Sequence, residues 1–501
     1  MLTACVMLAT VMQLVDSTIA NVALPHIQGS LSTTLDQVMW MLTSYVIASA
    51  IMTTAVGWLA QRFGRRQLLI ASVAGFTVIS MMCGAAQSLE QIVVFRVLQG
   101  LCGAPIAPLS QALMLDIYPI EQRARAMAIF GIGIMAGPIM GPTLGGYLTD
   151  TFNWRWVFYV NLPFGVIVTI GLILLMPATA RQREMRFDWL GFSVLVIGIS
   201  CLQLMLDRGQ TRDWFNAREI IVEAVLASLG CYLFVVHMFT EEEPVLPLGL
   251  FKDRNFTTAC AMMFCIGTVQ MASSALIAPY LQNLGGYPVS TAGLTMAPRG
   301  IGTMVSMLIA SRIGGKYVGQ RKLMAFGLMG LVLTMHSMTT WYPDMPQGEI
   351  IATFIFQGFS LGFVFNPLTV VAFATLPASL RNHGAAMENL AWYFGAAIGV
   401  SVTAFMMVRS QQVSHAELAS VITPFNRVLQ QHNVVTRMLG PSTTQGAELL
   451  NEMINRQAQI IAFNNDFRIL MFAAAIPLLL LLLLRRPGSV APHPVSEGTG
   501  P

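Results

Sequence analysis

The amino-acid sequence predicts an all-α polytopic membrane protein, and three observations carry that prediction. Apolar residues make up 55% of the chain and charged residues 10%, against roughly 25% charged in soluble domains. The chain contains fourteen apolar runs of about the 20 residues needed to cross a bilayer as a helix. Lys and Arg collect on alternate connections between those runs, as the positive-inside rule requires. So few charges cannot solvate the surface of a 501-residue globular protein, which excludes a soluble enzyme and a disordered scaffold. The net charge of +4 is small and dispersed, so no nucleic-acid partner is expected.

The runs fall at 2–24, 38–60, 67–86, 91–115, 126–148, 156–176, 190–206, 220–239, 257–281, 291–311, 323–341, 350–375, 384–408 and 467–484. They are continuous rather than alternating and too long for barrel strands, so they predict helices. The first has no basic residues before it and contains an Asp, so it reads as a retained span and not a cleaved signal. With both termini placed in the cytoplasm, the inside connections hold Arg62, Arg65, Arg66, Arg123, Arg125, Arg181, Arg183, Arg186, Lys252, Arg254, Arg312, Lys316, Arg321, Lys322, Arg381, Arg485 and Arg486. The short outside connections hold only Arg155, Arg208, Arg212 and Arg218. The seven cysteines all lie in apolar stretches without a C-x-x-C and read as small buried hydrophobes.

A weak internal repeat organises the runs. Arg62-Phe63-Gly64 is echoed by Arg312-Ile313-Gly314, and Pro119-x-x-x-Arg123 by Pro377-x-x-x-Arg381. Two parallel six-span halves with two spans inserted between them produce such offsets. The expected organisation is a first half over 1–176, inserted helices and linker over 177–256, and a second half over 257–484. A tail over 485–501, rich in Pro and Gly, is expected to be disordered. The second half includes an outer segment, 409–466, expected to form two short amphipathic helices. One would present Phe425, Val428, Leu429 and Val435, the other Leu449, Leu450, Met453, Ile454 and Ile461.

Four stretches carry chemistry. In span 1, Asp16 lies near mid-membrane, where an ionised acid costs about 2.5–3.5 kcal/mol on insertion scales. Burial favours its neutral form, so proton occupancy can switch there; an Asp neutralised by a nearby Arg and merely joining helices is the competing reading. Asn21 follows as a supporting polar group. In span 4, Arg96 and Gln99 occur in Arg96-Val97-Leu98-Gln99-Gly100. A guanidinium cannot shed its charge and must find an acid, carbonyls or water, or snorkel outward. Arg299 in span 10 poses the same question. In span 5, Gly133, Gly137, Gly141 and Gly145 recur every four residues and form a groove for close helix approach. Pro138 and Pro142 remove backbone donors beside it, and Gly146 closes the run. After span 2, Gly57-Trp58-Leu59-Ala60-Gln61-Arg62-Phe63-Gly64-Arg65-Arg66 combines a turn glycine with a cationic face suited to latching a helix end. Glu388 in span 13 is expected either to pair with Arg381 or to serve transport, with a lean to pairing.

Together these stretches resemble the major facilitator superfamily, in particular its fourteen-span drug/proton antiporters of the EmrB/QacA type. Pro244 to Phe256 is similar to a loop of that branch. The resemblance implies the major facilitator fold, with Asp16 as the proton-coupling acid and Gly57 to Arg66 and Gly133 to Gly146 as conformational motifs. It implies export of hydrophobic or amphipathic toxic compounds from a bacterial inner membrane, driven by the proton gradient without cofactor or metal. It also implies a periplasmic adaptor protein and an outer-membrane channel as partners. One position departs from the pattern: Gln61 stands where the loop motif usually has an acid, so that acid's capping role does not carry over intact.

Other classes fare worse. Gly358-Phe359-Ser360-Leu361-Gly362 matches a nucleophile elbow, but it lies within an apolar run with no strand–turn–helix context. No phosphate-binding loop occurs, so the chain is not its own ATPase. An importer would have no use for the span-5 motif, and a dedicated metabolite exporter of the same fold is the remaining alternative.

Overall fold

A computed structural model gives the fold and describes residues 1–33, 35–177, 187–209, 212–241, 244, 246–314, 317–377, 380–421 and 444–485. The described chain is almost wholly helical, and every apolar run coincides with a helix or a broken helix. The elements are α1 (Leu2–Ser30), α2 (Leu35–Phe63), α3 (Arg65–Ala85), α4 (Leu89–Gly103), α5 (Ile106–Ile117) and α6 (Ile120–Thr151). There follow α7 (Trp156–Tyr159), α8 (Asn161–Leu175), α9 (Trp189–Arg208), α10 (Arg218–Thr240), α11 (Gly249–Lys252) and α12 (Arg254–Pro279). The rest are α13 (Val289–Met296), α14 (Pro298–Ile313), α15 (Gln320–Met338), α16 (Gln347–Ala374), α17 (Arg381–Val421) and α18 (Thr444–Leu480).

Eleven helical stretches among the described residues are long and apolar enough to cross a membrane. Runs 126–148, 291–311 and 323–341 are not among them. The tenth run is divided into α13 and α14, of 8 and 16 residues, because Pro298 has no N–H and starts a new helix. Pro105 divides the fourth run into α4 and α5 in the same way. After Pro279, α12 ends in a π-helical turn over Tyr280–Leu284.

The outer segment corrects the sequence expectation. Instead of two short separate helices, α17 extends to Val421 and α18 begins at Thr444 as one continuous rod with the last span. The proposed face of Phe425, Val428, Leu429 and Val435 lies outside the described residues. The face over 449–461 is rotated: Leu449, Met453 and Ile461 are exposed, and the buried stripe is Ile454, Ala458 and Ala462. The cysteine reading also needs correction, since only Cys83 and Cys260 are buried and Cys231 of α10 is exposed. The echoed glycines differ as well. Gly64 adopts φ 87° at the start of α3, where L side chains rarely sit, whereas Gly314 has φ −70°.

Helix packing follows small residues. α1 packs chiefly on α6 and α8, α2 on α4, and α3 on α4 and α8. Later in the chain α14 packs on α16, α12 on α17, and α15 on α16 and α18. Two helices bridge these groups: α6 reaches α13, α14 and α16, and α17 reaches α2 and α5. α9 and α10 pair with each other, with Gly198 facing Gly230 so closely that a Cβ on Gly230 would lie 2.7 Å from the Gly198 Cα. The opposite face of α10 exposes Val222, Val225, Tyr232 and Phe239, an apolar surface suited to lipid. Gly358 and Gly362 abut the backbone of α14 at Arg299 and Thr303, so the elbow-like string serves packing.

Candidate functional site

The glycine groove of α6 lies against α1. A Cβ on Gly133 would meet the Met7 side chain at 2.6 Å, and one on Gly137 would stand 2.6 Å from the Leu14 Cβ and 2.9 Å from its carbonyl carbon. On Gly141 it would collide with Thr18, whose hydroxyl donates to the Gly137 carbonyl at 3.0 Å. Gly145 is buried on the same helix. Gly146 is off the groove, with open space beside it. The side chains of Pro138 and Pro142 lie outside the described residues, and the helix continues through both positions.

The groove thus seats the helix that carries Asp16. Asp16 and Arg96 form an ion pair at 2.7 Å with both side chains fully buried. The other Asp16 oxygen, Oδ1, accepts from Gln99 Nε2 at 3.0 Å and from Asn161 Nδ2 at 2.6 Å. Arg96 and Gln99 can both reach it because residues three apart share a helix face. Arg96 also donates to Gln99 Oε1 at 2.9 Å, and its guanidinium sits 4.4 Å from the Tyr45 ring centroid. Asn161 is held by Ser80, which in turn donates to the Phe158 carbonyl at 2.9 Å. The cluster therefore ties α1, α3, α4 and α8 together, with Tyr45 of α2 as its cover. Arg96 does not snorkel. The side chain of Asn21 lies outside the described residues.

A second polar cluster lies where helices from the two ends of the chain meet. Here a cavity of about 130 Å³ is lined by apolar side chains and by Gln111, Gln270, Asn366, Thr369, Glu388 and Asn389. Glu388 is buried; its Oε2 accepts from Gln111 Nε2 at 2.6 Å and its Oε1 from the Thr369 hydroxyl at 3.2 Å. Asn389 donates to Gln111 Oε1 at 3.0 Å. The leaning toward a Glu388–Arg381 pair is therefore wrong, because Arg381 is ion-paired with Asp116 instead. Leu14 lines the same cavity, so it touches both the cavity and the groove, two residues from Asp16. Arg299 donates to Ser274 at 2.8 Å and has no ion pair among the described residues.

The loop motif forms a third contact at the basic end of the bundle. Asp116 is ion-paired with Arg65 and with Arg381, joining the α2–α3 turn, α5 and the start of α17. Gln61 contacts the buried His383 ring at 2.7 Å, and a Cβ on Gly57 would collide with that ring. An amide at position 61 thus meets an imidazole rather than a bare helix end. Arg66 donates to the Ile173 carbonyl at 2.6 Å, and Arg62 is half-buried.

Sequence reading missed Asn161, Gln111, Asp116, His383 and the cavity amides. Asn161 and Gln111 carried a usable signal, being polar amides within apolar runs. Nothing local indicated that each would meet an acid 145 or 277 residues away.

Comparison with known proteins places these features in context. The family described as the Major Facilitator Superfamily matches residues 6–400. The multidrug export protein EmrB of Escherichia coli K12 is 36% identical over 462 residues, covering 92% of this chain and 90% of that protein. The fatty acid resistance protein FarB of Neisseria gonorrhoeae is 33% identical, covering 95% of this chain and 94% of its own. Among solved structures, the proton:xylose symporter XylE superposes with TM-score 0.60 at 13% identity, covering 94% of each chain, a likeness of fold alone.

Proposed function

Because the chain belongs to the Major Facilitator Superfamily and, within it, to the EmrB group of multidrug exporters, we propose that it exports hydrophobic or amphipathic toxic compounds in exchange for protons, by alternating access to the central cavity. The observation that carries this reading is the mechanical continuity from Asp16 through Leu14 to the cavity. Ionised, Asp16 holds Arg96, Gln99 and Asn161 and pins α1 to its neighbours. Protonated, it loses the ion pair, and α1 is free to shift along the α6 groove, moving Leu14 at the cavity wall. Outside-facing, Asp16 takes a proton and substrate leaves; inside-facing, it releases the proton and substrate binds. Linkage then requires proton and substrate each to weaken the other's binding.

In this reading the fourteen runs are fourteen spans. Residues 1–176 and 257–484 are the two rocking halves, and 177–256 contributes the inserted α9 and α10. The protein lies in the bacterial inner membrane with both termini cytoplasmic, so the Arg65–Asp116–Arg381 contact closes the cytoplasmic side. The proton gradient supplies the energy, and no cofactor takes part. A cavity of about 130 Å³ is well below the roughly 300–1,000 Å³ of drug-sized sites, so the halves must part to admit substrate. The extended α17 and α18 carry the outer segment toward a periplasmic adaptor and its outer-membrane channel.

Inverted membrane vesicles with an acidified lumen test the reading. Several chemically unrelated compounds should each trigger proton efflux, and Asp16→Asn should abolish it. No response to any compound would overturn broad export in favour of one dedicated metabolite.

A further inference from the structure

We propose that the second half of the chain holds a small monovalent cation, of the size of sodium, on Asp466 of α18, with Gln357 and Tyr280 as its further oxygen ligands. The site lies away from the central cavity, where the outer rod of α18 enters its span. The inference goes beyond the transport reading and does not depend on what the protein exports.

Asp466 is fully buried, and neither of its oxygens has a hydrogen-bond partner among the described residues. Three other side chains share its surroundings. Tyr280, just after α12, packs edge-on against Phe463, and Trp341, just beyond α15, packs against Phe467, with ring centroids 5.4 and 5.8 Å apart. Those two phenylalanines stand three residues before and one after Asp466 on α18. Trp341 also meets Phe354 at 5.7 Å, one turn before Gln357 on α16, and residues at that spacing share a helix face. Tyr280, Trp341 and Gln357 are all buried, and Tyr280 Oη, Trp341 Nε1 and both Gln357 amide atoms are again without partners among the described residues. Polar atoms from α12, α15, α16 and α18 thus gather round one aromatic cluster with none bonded to another. Buried polar groups are normally satisfied, and orphaned ones point to an ion or ordered water.

The first half of the chain indicates which of the two. Gln99 and Gly100 of α4 recur as Gln357 and Gly358 of α16, at the offset that relates Pro119 to Pro377. A helix contact recurs with them: Thr18 donates to the Gly137 carbonyl at 3.0 Å, and Thr268 to the Gly395 carbonyl at 2.9 Å. In the first half Gln99 sits with a buried acid, Asp16, that Arg96 neutralises. At the same offset the counterpart of Arg96 is Phe354, so the second half keeps an amide and an acid without the guanidinium. Other groups on the surrounding helices do not replace it. His336 of α15, Arg409 of α17 and Arg468 of α18 are exposed, as are Asp344 and Glu349. Arg321 is bound to the Leu481 carbonyl and Arg299 to Ser274, while Glu388 and Tyr393 of α17 line the central cavity. Arg254, Cys260 and Cys265 lie well down α12 from Tyr280. A buried carboxylate costs several kcal/mol without a counter-charge, and one negative charge calls for one positive charge. Asp466, Gln357 Oε1 and Tyr280 Oη are the hard oxygen donors that bind hard cations, and the rings closing round them suit a small ion. Trp341 Nε1 and Gln357 Nε2 suit the carboxylate's remaining lone pairs. When sodium enters, the Asp466 carboxyl group gives its proton to the medium; when sodium leaves, the proton returns.

The test measures binding of radioactive sodium to the full-length protein, purified in choline salts and held in nanodiscs, by scintillation proximity. The wild type should show one saturable site per chain, displaced by unlabelled sodium and not by choline, and weakening as pH falls from 8 to 6. Asp466→Asn should lose the site, Gln357→Leu should weaken it at least fivefold, and Glu388→Gln should leave it unchanged. Because a ligand of the folded state stabilises it by mass action, saturating sodium should raise the wild-type Tm by about 3 °C or more and leave that of Asp466→Asn where it was. No saturable sodium binding at any pH between 6 and 8.5 would overturn the proposal and leave Asp466 with a proton instead. Binding that survives Asp466→Asn, or that vanishes in Glu388→Gln, would overturn it as well. The wild-type measurement decides even if a variant fails to fold. Proton-linked export by a protein that binds no sodium would sink this inference alone, and sodium binding without export would sink the transporter reading alone.

Discussion

Replacing Asp16 by Asn should destabilise the protein by about 3–5 kcal/mol, the usual cost of breaking a buried ion pair from one side. The structure explains why the cost is one-sided. Asn can still accept from Gln99 and Asn161, but its amide N–H₂ would confront the Arg96 guanidinium where Oδ2 now accepts. Arg96 would keep only Gln99 Oε1 and a long contact to the Met41 carbonyl at 3.4 Å. It cannot lose its proton to escape. At about 1.4 kcal/mol per decade, the folded-to-unfolded ratio should fall by roughly two to three and a half orders of magnitude. Removing both charges in Asp16→Asn/Arg96→Met should recover most of that loss, to within about 2 kcal/mol of the wild type, since an uncharged pair needs no counter-ion. Reversible unfolding by SDS in mixed micelles measures all four proteins and yields the coupling energy, expected at about 4 kcal/mol or more. The double variant should still move no protons in vesicles, which separates Asp16's role in coupling from its role in folding. An Asp16→Asn stability within about 1 kcal/mol of the wild type, or strictly additive effects, would refute the buried-pair argument.

Two further predictions follow from packing. Gly137→Val places a branched side chain where even a Cβ would stand 2.6 Å from Leu14. α1 and α6 must separate, and transport should fall at least tenfold while membrane insertion, followed by reporter fusion, stays normal; normal transport would mean the contact does not matter for movement. On the outer rod, Leu449 and Met453 are 47% and 53% exposed, so Leu449→Glu with Met453→Glu should leave proton-linked flux unchanged and cut adaptor crosslinking at least fivefold. Undiminished crosslinking would place the adaptor elsewhere.

The helices were legible because their cause is local. Each run is apolar over a bilayer's length, and a backbone without water has no other way to satisfy its donors and acceptors. The breaks were less legible. Pro105 and Pro298 were visible, yet hydropathy averages over them, and the reading joined α4 to α5 and α13 to α14. The outer segment failed for a related reason: its polar residues set it apart as two short separate helices, while in the structure α17 and α18 run on into it and pack against each other.

Asp16, Arg96 and the α6 glycines were conspicuous in the sequence because each breaks the local rule of an apolar helix. Which partner resolves each violation was not. Arg96 could have snorkelled, Glu388 could have paired with Arg381, and the groove could have faced either half. Those choices are made between residues far apart in the chain, by which buried group reaches an acceptor or a counter-charge first. The sequence by itself therefore determined that this chain lies in a membrane as helices and which residues would be costly there. Only the tertiary structure decided that Asp16 is bound to Arg96, that Asp116 gathers Arg65 and Arg381, and that Glu388 is left in the cavity with neutral donors. The physical reason is that a buried charge has a strong demand for a partner but carries no local signal of which one.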